Sequence, residues 1–168
     1  PFLVEQLPIA AFQEEWTQAA FDGLIRPKSS NDALTVFNHL IDLGLGIDAA
    51  IAVLRVEWPN KLIMQQHLNL LRTLIKKAPT HSGVIPVALE FARTRFHDIG
   101  GTAEIYTSLL TIPTMQNPTL AKEAITLIDE NYSGKIRVFL KLIPLIKSII
   151  ATFSTNVDII KQIVEIIR

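Results

Sequence analysis

The chain has 168 residues, carries equal numbers of acidic and basic side chains, and is nearly half apolar. This composition is typical of a folded domain and excludes a disordered chain. The absence of cysteine excludes disulfide frameworks, cysteine-based zinc sites and thiol nucleophiles. The most apolar stretch, residues 136–153, is interrupted by three basic residues and a proline, so no transmembrane segment is predicted.

Helical periodicity dominates the sequence, and an all-α fold of about nine helices is predicted. Four helices lie in the first half of the chain, over residues 8–24, 31–43, 48–56 and 59–77. Pro8 and Pro59 suit first-turn positions. Asp48 is the predicted N-cap of the third helix, and Gly44 is predicted to end the second. His67 lies on the apolar face of the fourth helix, beside several leucines.

A glycine pair separates the next two predicted helices. Residues 84–99 carry the most regular apolar face in the sequence, and Gly100 and Gly101 are predicted to end that helix. Thr102 is then the predicted N-cap of a short helix that runs to residue 111. The pair is interpreted as a helix stop and not as a phosphate-binding loop.

Three more helices complete the chain, over residues 118–133, 135–152 and 157–168. Asn117 and Pro118 form a cap and first-turn pair, and Asn156 is predicted to cap the last helix. Pro144 is predicted to kink or split the helix that contains it. The connections are short, as expected for adjacent antiparallel helices.

The second half of the chain repeats a pattern found earlier in the sequence. Two triplets have nearly the same spacing, Pro59, Leu68 and Pro86 against Pro118, Leu127 and Pro144. Residues 117–128, with Ala124 where helices cross closely, resemble the second helix of a HEAT or armadillo repeat. Residues 142–145, with the sequence Leu-Ile-Pro-Leu, resemble the start of the following helix.

This resemblance, which is best over residues 59–153, implies a short right-handed α-solenoid of stacked antiparallel helices. It also implies a role in binding and scaffolding, because such stacks present a ridged surface to a peptide, helix or protein. Residues 1–168 are expected to form a single helical-repeat domain that is a fragment of a longer chain. The expected location is intracellular, in the cytoplasm or the nucleus.

No catalytic, cofactor or metal motif is present. The four histidines, His39, His67, His81 and His97, do not have the spacing of a zinc site, and none adjoins a predicted nucleophile. No phosphate-binding loop or nucleophile-elbow pattern occurs. We therefore expect a non-enzymatic protein without a cofactor.

Basic side chains of the helix over residues 135–152 form one candidate binding surface. Arg137, Lys141 and Lys147 are predicted to share part of one face, which suits an acidic protein partner. The alternative function is binding of nucleic acid or phosphoinositides by this basic helix, near residues 135–147. Because the whole chain is neutral, nucleic acid is the less favoured partner. Lysines that border a buried stripe explain the same pattern without any binding role.

Apolar side chains provide the other candidate contacts. Trp58, before Pro59, is either a partly exposed binding residue or part of a hydrophobic staple. The last helix has more isoleucine than one narrow face needs, and Ile160, Ile163 and Ile167 are predicted on its apolar side. This helix is expected to pack on a further repeat or to mediate self-association. The leading hypothesis is an interaction scaffold, a subunit or domain of a larger assembly.

Overall fold

A computed structural model of the chain describes residues 30–55, 61–95, 98–132 and 136–168, and these residues are helical, with no β-strand among them. The all-α prediction is confirmed. The eight described α-helices are α1 (Ser30–Asp42), α2 (Ile47–Arg55), α3 (Lys61–Lys77), α4 (Val84–Glu90), α5 (Ile99–Leu110), α6 (Pro118–Asn131), α7 (Ile136–Thr152) and α8 (Val157–Ile167). A π-helical segment, Phe91–Arg95, continues α4, and a 3₁₀ turn, Pro113–Met115, precedes α6. The predicted helix over residues 8–24 lies outside the described residues.

The described residues divide into two compact units on either side of the Val87–Ala88 bond. In the first unit α1, α2 and α3 pack on one another. Their fully buried side chains are the large apolar ones that the helical periodicity picks out, Phe37, Leu54, Leu70, Leu71 and Leu74. His67 is buried among them, as its place on the apolar face predicts.

The turn between α1 and α2 contains two glycines with positive φ, Gly44 at 73° and Gly46 at 67°. The amide of Leu45 donates to the Leu40 carbonyl, and the amide of Gly44 donates to that of Ile41. This is the Schellman arrangement, which favours glycine at the left-handed position, so the predicted stop at Gly44 is confirmed.

The prediction that Asp48 caps α2 is wrong. The helix begins at Ile47, and the Gly46 carbonyl already accepts the amide of Ala50, which places Gly46 at the N-cap. Asp48 lies inside the first turn instead, where its carboxylate is 3.5 Å from Nε2 of His81. A carboxylate there still interacts favourably with the helix dipole.

In the second unit α5 is the most enclosed helix. It packs on α6, α7, the π-helical segment and the 3₁₀ turn. Asp98 is its N-cap, with a side-chain oxygen that accepts from the amide of Gly101 at 3.2 Å. The predictions that Gly100 and Gly101 end a helix and that Thr102 caps the next are therefore wrong. The Asp98 carboxylate starts the helix one turn earlier, and Thr102 is buried within it.

The remaining boundaries of the second unit agree with the sequence patterns. Asn117 accepts from the amide of Leu120 at 2.9 Å and caps α6, with Pro118 in the first turn. Asn156 accepts from the amide of Ile159 at 3.3 Å and caps α8. Of the two effects predicted for Pro144, it does not split α7, because the helix is continuous through it, and the kink stays a prediction. Buried side chains on both sides of the proline hold the two halves in place, Leu142, Leu145, Ile146 and Ile149.

Candidate interaction surface

Helix α7 has two apolar faces, and only one of them is covered. The buried face consists of Leu142, Leu145, Ile146 and Ile149. On the opposite side large apolar residues remain open, with Ile136 73% exposed, Leu140 59% and Ile150 42%. A helix with one neighbouring layer normally exposes polar residues on its far side, so this face is unusual for a solvated surface.

The exposed apolar residues of α7 fall on a regular line together with the half-buried Ile143 and the exposed Lys147. Ile136, Leu140, Ile143, Lys147 and Ile150 succeed one another at intervals of four, three, four and three residues. We call these five residues the outer seam of α7. Alternating intervals of three and four residues keep side chains on one side of a helix, and they are the spacing by which two helices interlock.

The three predicted basic residues of α7 are all exposed, but they are not equivalent. A helix turns by about 100° per residue, so Lys147 lies about 120° from Lys141 around the axis. Lys147 is part of the outer seam, Arg137 is beside it, and Lys141 is on the flank. The side chains therefore spread across the exposed half of α7 and do not form one cluster.

Lys141 is engaged within the second unit. Its Nζ lies 2.7 Å from Oδ1 of Asp98, the residue that caps α5. The hydrogen bond from Lys141 and the one from the Gly101 amide lower the pKa of the Asp98 carboxyl. Neither Arg137 nor Lys147 has an acidic partner among the described residues. No acidic residue occurs in α7 itself.

Helix α8 also has apolar residues in excess of those it buries. Ile159 and Ile163 are its buried residues, and Ile163 is only 1% exposed. Ile163 therefore belongs to the core and cannot meet a further partner. Ile160 is half-buried and Ile167 is exposed, so the two predicted contacts other than Ile163 stay accessible. Val157 and Val164 widen this surface, with exposures of 62% and 44%.

A polar network connects the π-helical segment, α5 and α6. The guanidinium of Arg93 donates to both carboxylate oxygens of Glu123, at 2.6 and 2.8 Å from one nitrogen and 3.1 Å from another. The hydroxyl of Tyr106 donates to the same carboxylate at 3.3 Å. The hydrogen bond to Glu123 raises the pKa of Arg93, and burial, with the Glu123 charge, raises the pKa of Tyr106.

This network links the π-helical segment, α5 and α6 and offers no reactive group. The charge of Arg93, which the sequence marks only as one basic residue among several, is neutralised by a residue 30 positions further along the chain. No pattern within one helix connects residues that far apart, so sequence reasoning missed Glu123 and Tyr106. Chemically, the three side chains form an ion pair supported by a buried hydroxyl.

Within the described ranges, few sites could hold a ligand. A groove of about 560 Å³ lies between α6 and α8, with Lys122, Asp129 and Glu165 at its rim and Ile125 and Ile166 among its lining residues. Its lining mixes both signs of charge with apolar side chains, so it does not select one class of ligand. In the part of the chain that the structure describes, no three His, Asp or Glu side chains gather as metal ligands.

No described helix is both long and apolar enough to cross a bilayer. Trp58 lies outside the described residues.

Comparison with known proteins adds no relative. No family model, no curated protein and no solved structure matches this chain. The resemblance to HEAT and armadillo repeats therefore stays a prediction that rests on the sequence, on the proline-anchored spacing and on residues 117–128 and 142–145.

Proposed function

We propose that this protein is a non-enzymatic interaction module, a subunit or domain of a larger assembly that binds a protein or peptide partner. One observation carries the proposal, the large apolar side chains that α7 and α8 expose beyond those they bury. Their exposed fractions run from 36% to 73% across Ile136, Leu140, Ile150, Val157, Val164 and Ile167. Covering each would stabilise a complex by roughly 1 kcal/mol, enough together for a specific contact.

The arrangement we propose for the helices is a short right-handed α-solenoid of antiparallel helices, similar to HEAT and armadillo repeats. Short connections between successive helices and the repeated proline spacing support it. In such a stack each unit exposes apolar residues that the next unit or a partner covers. The proposed setting is intracellular, in the cytoplasm or nucleus, which the absence of cysteine favours.

Photo-cross-linking in the source cells tests the proposal. A photoreactive amino acid is placed at position 140 on α7, at position 164 on α8, and at position 122 as the control, since Lys122 is also exposed but polar. We expect a discrete cross-linked product of one defined mass at position 140 or at position 164. No such product should form at position 122. Equal, diffuse labelling at all three positions would contradict an interaction module.

Self-association is measured on the same variants. If α8 pairs with a second copy, sedimentation velocity resolves a concentration-dependent dimer, and Val164→Glu returns it to a monomer. A monomer at all concentrations assigns the adduct at position 164 to a different protein. With either result the exposed apolar side chains form an interface. A dimer means that the partner is a second copy of the chain, and a monomer means that it is a different protein.

A second candidate function is binding of nucleic acid or anionic lipid through α7. The observation that favours it is the set of three exposed cations on a helix without an acidic residue. The neutral chain and the ion pair of Lys141 with Asp98 count against it. RNA or phosphoinositide vesicles bound at low salt, with affinity that falls steeply as salt rises, would establish this function. No binding at low salt would exclude it.

A further inference from the structure

We propose that the outer seam of α7 is the docking site for one amphipathic helix of a protein partner, with acidic residues along both sides of that helix's apolar stripe. The inference deepens the proposed function and rests on it, because it names the chemistry of the partner at one of the two uncovered surfaces. It depends on the spacing of the seam and on the position of its charges.

The spacing of the seam selects a helix over other partners. From Ile136 to Ile150 it runs for 15 residues, about 21 Å along the axis, which is two heptads. Side chains at alternating intervals of four and three fit between those of a second helix that lies almost parallel to α7. A flat or irregular partner surface would not match side chains spaced this evenly along one line of a helix.

The charges of the seam select an acidic helix. Lys147 occupies an interior seam position, between Ile143 and Ile150, where a helix packed on α7 would cover its ammonium group, and Arg137 is next to the seam at a flanking position. A polar residue within an apolar seam fixes the register, and flanking charges determine which partner is accepted. A carboxylate opposite Lys147 and another beside Arg137 would satisfy both cations.

The same charges argue against a second copy at this face. Two α7 helices packed on each other through this seam would bring together Arg137 and Lys147 from each, with no acidic residue on either helix. Like charges in a partly desolvated interface are repelled, so self-association, if it occurs, uses α8.

A membrane surface is the other environment that accepts apolar and cationic side chains. Arg137 and Lys147, which have no ion pair among the described residues, would contribute about 1 kcal/mol each at an anionic bilayer, which is too little for stable attachment. A membrane surface has no register to match, so anionic vesicles tested beside ordered and scrambled peptides separate the two partners experimentally.

The test uses the full chain and three synthetic 21-residue peptides, followed by fluorescence anisotropy of a labelled peptide. The first peptide has leucine and isoleucine at alternating intervals of three and four, with glutamate on both sides of the stripe and one aspartate within it. The second replaces every acidic residue by lysine. The third has the composition of the first in scrambled order.

We expect the acidic peptide to bind at least about tenfold more tightly than the lysine and scrambled peptides, which corresponds to about 1.4 kcal/mol. Leu140→Glu should abolish the binding, and Lys147→Glu should shift the preference toward the lysine peptide. Lys161→Glu, which makes the same charge change at an exposed lysine of α8, should leave the affinity within about twofold. Both substituted side chains of α7 are exposed, so circular dichroism should show unchanged helicity.

Three results would overturn the proposal: equal binding of the ordered and scrambled peptides, no effect of Leu140→Glu, or tighter binding of phosphatidylserine vesicles than of the acidic peptide. Cross-linking from position 164 then shows whether the interaction module still stands when the α7 site fails. If it persists while the peptides fail, the interaction module stands and the α7 site is wrong. If discrete adducts are absent at position 140 as well as at position 164, both are wrong.

Discussion

Helices α5 and α8 are nearly equal in length and both are rich in apolar residues, but their surroundings differ. Seven of the 12 residues of α5 are buried, against two of the 11 residues of α8. The neighbours of α5 include α6, α7, the π-helical segment and the 3₁₀ turn, whereas α8 packs chiefly on α6. Burial is therefore set by the number of neighbours and not by apolar content. An apolar helix with few neighbours is a surface available to a partner.

The largest effect should come from truncating the buried side of α5. Leu109 is fully buried, so Leu109→Ala leaves a cavity and should lower the free energy of unfolding by about 2–5 kcal/mol. Chemical denaturation followed by circular dichroism measures the change. Val164→Ala on α8 is the control, because that side chain is largely exposed and its truncation should change stability by less than about 0.5 kcal/mol. Equal losses would contradict the difference between the two helices.

The polar network of Arg93, Tyr106 and Glu123 should contribute less to the free energy of unfolding than the apolar core around α5. Glu123→Ala removes the acceptor of both Arg93 and Tyr106, and it leaves the buried hydroxyl without this partner. The loss should be about 1–2 kcal/mol, since Arg93 is half-exposed and its ion pair is weakened by solvent. Denaturation of Tyr106→Phe is the comparison, and it should show a smaller loss because the Arg93–Glu123 pair remains. A larger loss in Tyr106→Phe would mean that the hydroxyl has another role.

Removing the N-cap of α5 should cost more global stability than removing the N-cap of α8. Asp98→Ala removes the cap of α5 and the ion pair with Lys141, and should cost about 1 kcal/mol of global stability. Asn156→Ala removes the cap of α8, and should mainly increase amide hydrogen exchange within α8, because few neighbours hold that helix. Equal global losses from the two substitutions would show that α8 is as tightly held as α5.

The Asp98 cap should also depend on pH. The pKa of its carboxyl is lowered in the folded protein, so the unfolded chain binds more protons as the pH falls below about 4. The stabilisation is complete above the ordinary pKa of aspartate and is lost as the pH falls through the lower, folded value. Asp98→Asn keeps a capping oxygen but not the charge. Its stability deficit at neutral pH should therefore disappear in acid, and a deficit that persists there would exclude the ion pair as its cause.

The sequence predicted the helices better than their surroundings. Asn117 and Asn156 were recognisable as caps because each directly precedes an apolar periodic run. Asp98 was missed because two glycines follow it, and glycine is compatible both with the end of a helix and with its first turn. The cap and the stop are distinguished by a hydrogen bond to the carboxylate, which spacing alone does not show.

The candidate site was predictable in its composition and not in its geometry. The sequence identifies the basic residues of α7 and the apolar excess of α8, since both belong to single helices. Which side of each helix is covered depends on neighbours distant in the chain, as does the engagement of Lys141 by Asp98, 43 residues before it. Ile163 was predicted as a partner contact for this reason, although it is buried within the second unit.

The smallest effect on stability should come from the exposed apolar edge of α8. Val164→Ser shortens a side chain that is 44% exposed, so the free energy of unfolding should change by less than about 0.5 kcal/mol. If this edge is an interface, the same substitution should weaken partner capture or self-association well beyond that change, because the partner loses apolar contact area. Sedimentation and cross-linking yield at position 167 measure the second effect. Thr126→Ser, exposed on α6, is the matched control that should alter neither quantity.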